Sequence, residues 1–432
     1  MNLIDIIISI NVTNIREKYP KSDGIQVKGE EVMSEAVRKS KYYPSAFILY
    51  LNYFIHGIGA SILGQQVMKE ALAAQWGTGD DKVTMVAAAL GLGRLITLPF
   101  SGPISDKLGR RISTLIGVAS YAIFFLGMAF SPNLAVAYIA AILGGAANSF
   151  LDTGVIPACV EILEPRSGLA AMLTKLFISA SQLLLPFMLG FVAASNMSYN
   201  VIMIAAAAVI AVIGILVIKV PMIENQKKAD GKPDSFFANL KKAKFTAESA
   251  ALIAIGFTCT ATFQLWMNCS QKFGTQIAGM EDAGMMQTWY SAGTIAALFV
   301  TAVLVNKFKQ VRFLVIYPAI ATLMLIIVLV IKTPLICLVG AFVIGYSAAG
   351  GVLQLATATV NDLFPSIKGT ITSIIMIASS LSNYTILSFA GQLSTNSGPE
   401  AVMVLNIVVT VIGVALALFV NVRYKKMISS AA

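Results

Sequence analysis

Long apolar segments separated by short polar ones dominate the sequence. Twelve of them contain roughly 20 residues or more with few charges, the length an α-helix needs to cross the hydrocarbon core of a bilayer. They lie near residues 44–68, 82–105, 112–130, 134–160, 168–193, 199–220, 249–271, 284–305, 313–331, 334–360, 369–391 and 399–422. Only 12% of the 432 residues are charged, about half the share in a soluble domain. The sequence therefore predicts an all-α membrane protein with twelve transmembrane helices.

A polar stretch divides these segments into two sets of six. It reads ENQKKADGKPDSFFANLKKAK and has the Lys, Pro and Gly content of a solvated linker. The predicted domain organisation is an N-terminal tail over 1–43, helical bundles over 44–220 and 249–422, a linker over 221–248 and a C-terminal tail over 423–432.

The start of the chain lacks features that such a fold needs. Residues 1–32 contain no segment long enough to span a membrane, and "MSEAVRKSKYYPSAF" from Met33 has the form of an ordinary start. We therefore expect deletion of residues 1–32 to leave expression and activity unchanged.

The distribution of Lys and Arg predicts the orientation in the membrane. With the N-terminus inside, 25 of the 31 basic residues fall on the cytosolic side and 4 on the outer side, while Arg94 and Lys175 lie within spans. Such a bias is the positive-inside pattern, so both termini are predicted to be cytosolic. The net charge of +10 then follows from membrane topology, and we expect no nucleic-acid partner.

The two sets of spans resemble each other at an offset of 200 residues. "GLGRLITLPFSGPISDKLGRR" and "SAGTIAALFVTAVLVNKFKQVR" align so that Gly93 matches Gly293, and Pro165 matches Pro365 in the neighbouring turns. This constant offset indicates an internal duplication. Related halves around a central substrate site are typical of secondary transporters.

A charged loop, "GPISDKLGRR" over residues 102–111, separates spans 2 and 3. Its pattern, Gly-x3-Asp-Lys-x-Gly-Arg-Arg, resembles the signature loop of the major facilitator superfamily, and a weaker copy follows span 8. The resemblance covers residues 41–426. It implies two pseudo-symmetric six-helix bundles that transport a solute by alternating access.

In that superfamily the loop acts as a conformational latch between the halves. Carried over to this sequence, Asp106 would face the N-terminal end of span 11 near Gly369, where the helix dipole favours an anion. Two glycines would allow a close backbone approach and a tight turn. Both arginines would pair with acids at neighbouring helix ends. The implied latch residues are Gly102, Asp106, Lys107, Gly109, Arg110 and Arg111 with Glu161, Glu164 and Asp362. The alternative is a basic loop that only sets the topology.

Two longer strings, "GGAANSFLDTGVIPACVEILEP" and "AFVIGYSAAGGVLQLATATVNDLFP", resemble the YdiN-like inner-membrane transporters, a bacterial branch of the superfamily. This resemblance implies a multi-pass protein of the bacterial inner membrane. It also implies a substrate such as quinate, shikimate or a similar hydroxylated acid.

Four titratable side chains lie inside the spans: His56, Arg94, Asp152 and Lys175. Counting from the cytosolic span ends places each about 14–18 Å deep, near the middle of a hydrocarbon core about 30 Å thick. Burying such groups is costly, so we predict that they line a central cavity. Arg94 and Lys175 would bind substrate, while Asp152 and His56 would couple transport to protons.

Each of these groups also has a structural interpretation. Asp152 and Lys175 can form a buried pair that only holds two helices together. Arg94 can bond backbone carbonyls, and His56 can be a neutral side chain in a packed helix.

Neutral polar side chains would complete the substrate site. Amides donate and accept hydrogen bonds, which suits a ligand that carries hydroxyl groups. The candidates are Asn52, Gln182, Gln264, Asn268, Gln354 and Asn383.

Together these features predict a monomeric secondary transporter, not an enzyme. It would use no cofactor or metal, and a proton gradient would drive uptake of a small hydroxylated organic acid. Three alternatives stay open: a neutral sugar–proton symporter, a drug or metabolite efflux antiporter, and a receptor or channel that does not transport.

Overall fold

The computed structural model describes residues 41–163, 167–223, 245–305, 307–364 and 367–431, together with residues 240 and 243. Residues 1–32, most of the predicted linker and the predicted latch residue Glu164 lie outside the described residues. All regular elements of the described part are helical.

Fourteen helices follow one another along the described chain. In the first half they are α1 (Tyr43–Ser61), α2 (Gln66–Trp76), α3 (Asp80–Leu108), α4 (Arg110–Phe130), α5 (Leu134–Leu163), α6 (Ser167–Ala194) and α7 (Asn200–Lys219). In the second half they are α8 (Ala247–Gln276), α9 (Met285–Leu304), α10 (Gln310–Ile331), α11 (Pro334–Ile344), α12 (Val352–Asp362) and a helical run Lys368–Ala431. That run is interrupted by Gly398 (φ 80°, ψ 174°), which separates α13 (368–397) from α14 (399–431).

The helices coincide with the predicted spans to within a few residues, except that two spans are broken. Ten helical segments of the described residues are long and apolar enough to cross a membrane, and one of these, Lys368–Tyr424, includes both α13 and most of α14. The predicted span 284–305 corresponds to α9, which is not among the ten. The positions of the helices therefore agree with the sequence, while twelve crossings stay a prediction.

Two of the predicted spans are not continuous α-helices. A 3₁₀ turn at Ile62–Gly64 separates α1 from α2. A π-helical turn at Gly345–Ala349 follows α11, and Gly351, with φ 121°, precedes α12. Glycine is the residue that adopts positive φ without a steric penalty, so the second break occurs where the sequence permits it.

Buried apolar side chains form separate clusters in the two halves. The largest cluster draws its buried members from Ala46 to Val217, and two others lie within residues 251–420. A small fourth cluster joins the halves through Ala88, Leu265 and Leu387.

In the first half, α3 and α5 cross at glycines. A Cβ atom added to Gly93 would lie 1.9 Å from the carbonyl oxygen of Ile142, and one added to Gly145 would lie 2.0 Å from that of Leu90. Small residues at such crossings let helix backbones approach closely in membranes. The crossing therefore requires glycine on both helices.

The second half repeats this crossing 200 residues later. A Cβ on Gly293 would lie 2.0 Å from the carbonyl oxygen of Phe342, and one on Gly345 would lie 2.0 Å from that of Tyr290. All four positions match those of the first crossing at the offset found in the sequence. The internal repeat of the sequence therefore corresponds to a repeat of the same helix crossing in the structure.

Candidate functional site

The glycine crossing of α3 and α5 places two opposite charges side by side. Arg94 follows Gly93 on α3, and Asp152 lies two turns beyond Gly145 on α5. The Nη2 of Arg94 lies 2.7 Å from the Oδ2 of Asp152. The side chains keep 23% and 24% of their exposure, so the pair is partly accessible. At the equivalent positions the second half has Thr294 and Val352, and its crossing carries no charge.

The other carboxylate oxygen of Asp152 is also bonded. Tyr53 on α1 donates its hydroxyl to Oδ1 at 2.9 Å. The Tyr53 ring meets the His56 ring edge-on, with 5.7 Å between centroids. Asp152 thus accepts hydrogen bonds from a cation on one side and from a neutral hydroxyl on the other.

His56 belongs to a second set of hydrogen bonds beside the ion pair. Its Nδ1 lies 2.6 Å from the hydroxyl of Tyr121, and that hydroxyl bonds to the Oδ1 of Asn148. Three of the four predicted titratable side chains therefore lie close together, linked through Tyr53.

Arg94 has hydrogen-bonding capacity that this conformation does not use. Its Nε is buried without a partner. Its Nη2 also contacts the Sδ of Met376 on α13 at 3.7 Å. On the side of the second half, the guanidinium therefore meets only a weak thioether acceptor. A strong acceptor for the unpartnered Nε would have to come from elsewhere.

Lys175 does not pair with Asp152 as one interpretation of the sequence proposed. In the described residues the ion pair of Asp152 is with Arg94, and no ion pair of Lys175 is formed. The reason is geometric, since the glycine crossing brings α3, not α6, against α5 at this depth. Lys175 is half-buried, and its predicted substrate role stays a prediction.

The neutral candidates are spread over three environments. Asn52 is fully buried and donates to the carbonyl of Leu49 on its own helix at 3.0 Å, and its Oδ1 has no partner. Gln354 is exposed on α12. Asn383 on α13 has a buried Oδ1 without a partner, and its Cβ is 3.0 Å from where a Cβ of Gly91 would lie. Asn383 on α13 therefore lies beside Gly91, which is about one helical turn from Arg94 on α3.

The remaining amides join the halves. Gln182 on α6 contacts the Sδ of Met267 through Nε2 at 3.6 Å. Asn268 donates to the Oε1 of Gln264 at 3.0 Å, and its backbone oxygen accepts from Lys69. These side chains are bonded across or beside the interface and are not gathered around Arg94.

The signature loop forms a local cluster of charged side chains at the C-terminal end of α3. Arg110 bonds Asp106 at 2.7 Å, and its Nε lies 3.6 Å from Glu161. The contacts of Arg111 differ from the predicted pairing with an acid, because Arg111 donates to the carbonyls of Ile218 and Val220 at the end of α7. Unsatisfied carbonyls at a helix C-terminus are favourable partners for a guanidinium.

Other predicted latch contacts are not formed between described residues. Asp106 is bonded to Arg110 and not to the start of α13, and Lys107 and Asp362 are exposed. Gly109 adopts φ 98° in the turn, as predicted. Gly102 differs from the prediction, since a Cβ there would meet nothing within 4 Å.

Sequence reasoning missed Tyr53, Tyr121 and Met376. Tyr53 precedes His56 by three residues, so a shared helix face was a usable signal. Tyr121 and Met376 have apolar sequence neighbours and are connected to the site only by tertiary packing.

A half-buried ion pair within an all-helical, membrane-spanning scaffold of two related halves is the architecture of a transport protein. The sequence matches the Major Facilitator Superfamily over residues 45–384 and again over 249–431, and the chain belongs to that superfamily. It is therefore a multi-pass membrane transporter and not an enzyme.

Several characterised and uncharacterised proteins are similar to it. The inner membrane transport protein YdiN of Escherichia coli (strain K12) is 32% identical over 90% of this chain and 93% of its own. The MFS-type transporter YfkL of Bacillus subtilis (strain 168) is 33% identical over 88% and 96%. The quinolone resistance protein NorA of Staphylococcus aureus is 30% identical over only 27% and 29%.

Among solved structures, a D-xylose-proton symporter superimposes with a TM-score of 0.71 at 16% identity. The match covers 88% of this chain and 97% of the other. At that identity the likeness shows the fold alone, and the fold is that of the major facilitator transporters.

Proposed function

We propose that the protein is a proton-coupled importer of a small hydroxylated organic acid in the bacterial inner membrane, with both termini in the cytoplasm. The observation that carries this proposal is the ion pair between Arg94 and Asp152, in which Arg94 keeps an unpartnered buried Nε. Arg94 is suited to bind a carboxylate, because a guanidinium presents parallel N–H donors that match two carboxylate oxygens.

Charge balance couples the acid to a proton. In the empty site Asp152 neutralises Arg94. A substrate carboxylate that displaces Asp152 from Arg94 leaves the site with one excess negative charge, which is costly away from water. Protonation of Asp152 removes that charge. The Arg94–Asp152 pair is then neutral both when it is empty and when it holds acid and proton, and these two forms are the ones suited to change conformation.

The hydroxyl groups of the substrate would be recognised by neutral groups near Arg94. The unpartnered Oδ1 of Asn383 offers an acceptor one turn away. Tyr53 offers a hydroxyl that becomes available if Asp152 moves. A hydroxylated acid thus satisfies both the cation and the amide.

The test compares acids with their uncharged derivatives. Purified protein is heated with quinate, shikimate or gluconate and with the corresponding methyl esters. We expect an acid, and not its ester, to raise the melting temperature. Arg94→Lys should weaken binding of that acid by more than about tenfold, because replacing the fork by a point charge loses at least about 1.4 kcal/mol.

Other outcomes would select another function. If neutral sugars stabilised the parent protein and the Arg94→Lys protein equally, a sugar symporter would be favoured and the role of Arg94 would be overturned. Stabilisation by hydrophobic cations would favour efflux, for which the partial similarity to the quinolone resistance protein NorA is the supporting observation.

A further inference from the structure

The imidazole of His56 has one nitrogen bonded to the protein and one that is free. Its Nδ1 lies 2.6 Å from the hydroxyl of Tyr121, a fully buried residue of α4. That hydroxyl donates to the Oδ1 of Asn148 on α5. The Nε2 of His56 has no hydrogen-bond partner among the described residues and, unlike the unpartnered Nε of Arg94, is not buried. One edge of the ring is therefore fixed, and the other is open to a ligand.

The order of these hydrogen bonds determines which ring nitrogen carries the proton. A tyrosine hydroxyl has a single proton, and Tyr121 gives it to the amide oxygen of Asn148. The Nδ1 of His56 must then donate to the hydroxyl oxygen, because two acceptors that face each other at 2.6 Å form no hydrogen bond. A neutral ring with its proton on Nδ1 leaves a bare lone pair on Nε2, which can only accept.

The surrounding charges favour a neutral ring. The charged side chains that act on His56 are Arg94 on α3, Asp152 on α5 and Lys175 on α6. Two of these are cations, and both oxygens of the one carboxylate are already bonded, to Arg94 and to Tyr53. A further positive charge on the imidazole would therefore add to an excess of positive charge in a site with little water.

Two aromatic rings hold the imidazole in place. The ring of Tyr53 meets it edge-on, and so does the ring of Tyr121, with 5.9 Å between centroids and 79° between planes. Tyr121 in turn stacks on Phe125 with 5.7 Å between centroids. A side chain that is already held in one orientation loses little conformational freedom when it binds a ligand.

We propose that His56 determines substrate specificity, and that its bare Nε2 accepts a hydrogen bond from a hydroxyl group of the substrate. This role rests on the proposed transport of a hydroxylated acid, and it differs from the proton-carrying role that the sequence predicts for His56. Arg94 takes the carboxylate, and His56 takes a hydroxyl on the Tyr53 side of the ion pair. Because Nε2 has no proton to give, it selects an O–H group over a keto oxygen at the same place.

The tautomer can be measured without any substrate. His56 is the only histidine of the chain, so protein labelled with nitrogen-15 at histidine, and purified through a tag without histidine, gives the imidazole signals of this one residue. At about pH 7.5 an ordinary imidazole is neutral. We expect the magnetic resonance spectrum of a neutral ring with its proton on Nδ1. A ring with its proton on Nε2, or with both nitrogens protonated, would overturn the proposal.

Asn148→Leu should reverse the order of the bonds. Without the amide oxygen, the nearest remaining acceptor for the Tyr121 hydroxyl is the Nδ1 of His56, so the ring proton should move to Nε2. Asn361→Leu is the matched control, because it removes a half-buried asparagine of α12 that donates to Thr372 on α13 at 2.8 Å. The control should keep the parent spectrum. An unchanged spectrum in Asn148→Leu would show that this chain of bonds does not hold the proton.

Binding then tests the recognition of a hydroxyl. Shikimate, quinate and gluconate are compared with analogues in which one hydroxyl at a time is replaced by hydrogen or by a keto oxygen. In the parent protein, replacement at one position should weaken binding by about three- to tenfold, the effect of one neutral hydrogen bond. The difference should vanish in His56→Phe. In Asn148→Leu, where Nε2 donates, the keto analogue should bind better than the hydroxyl form. Equal discrimination in the parent and in His56→Phe would refute the role of His56.

The two measurements separate this inference from the proposed function. An Nδ1–H ring in a protein that binds none of the acids would refute acid transport and leave the assigned tautomer standing. Binding of an acid by a protein whose ring carries its proton on Nε2 would support acid transport and refute the role of His56.

Discussion

At the scale of single residues, Arg94 and Asp152 depend on each other. Removing one partner strands a charge in a half-buried site, whereas removing both does not. Arg94→Leu should lower the free energy of unfolding by about 1–3 kcal/mol. Arg94→Leu with Asp152→Asn should recover part of that loss. Melting temperatures in detergent check this, and equal stability of the single and double variants would contradict the coupling.

Asp152 also has a prediction of its own, which rests on the proposed proton coupling. Asp152→Asn is neutral at every pH and carries no proton, so proton-driven accumulation should be abolished. Counterflow exchanges one substrate molecule for another without net proton movement and should survive. Vesicles preloaded with unlabelled substrate provide the measurement. Loss of both activities, with unchanged substrate binding, would count against a role confined to protons.

At the scale of elements, the duplicated glycine crossing makes a prediction about packing. Gly93→Ala places a Cβ 1.9 Å from the carbonyl of Ile142, so α3 and α5 must move apart, at a cost of about 1–3 kcal/mol. Gly293→Ala should cost as much, because its Cβ would lie 2.0 Å from the Phe342 carbonyl.

Gly190→Ala is the control for that pair. It makes the same change in a membrane helix where a Cβ meets nothing within 4 Å, and its melting temperature should be that of the parent or slightly higher. A Gly93→Ala protein as stable as the Gly190→Ala protein would show that the crossing tolerates a methyl group.

At the scale of the whole molecule, the proposed charge balance predicts which gradient drives transport. One acid anion and one proton together move no net charge. A pH gradient, acid outside, should therefore drive accumulation of a monocarboxylate in proteoliposomes, while a membrane potential imposed with potassium and valinomycin should not. Accumulation driven by potential alone would require more than one proton per acid, or a neutral substrate carried with a proton.

Much of the fold could be predicted because each span is a local property of the sequence. Unpaired backbone groups are costly in hydrocarbon, so about 20 consecutive apolar residues determine both that a helix forms and where in the sequence it lies. The breaks at Gly64 and at Gly345–Gly351 could not be predicted this way, because their apolar residues satisfy the same pattern whether the helix bends or not.

The site could be predicted only in part for a related reason. The cost of burying a charge singles out Arg94, Asp152, His56 and Lys175 from the sequence alone. Which of them form a pair depends on which helices touch at that depth. The sequence pattern allowed Asp152 to pair with Lys175 on the next helix, whereas the glycines of α3 and α5 place it against Arg94.

Sequence alone was enough to predict the membrane class of the protein, the positions of its helices, its internal repeat and the side chains too polar to face lipid. Each of these follows from transfer of residues between water and hydrocarbon, which depends on composition within a short window. The folded structure was needed to show that Asp152 bonds Arg94 and Tyr53, that Arg111 binds the end of α7, and that Lys69 is buried between the halves. Those contacts join residues far apart in the chain, and helix crossings set by close packing, not by local pattern, bring them together.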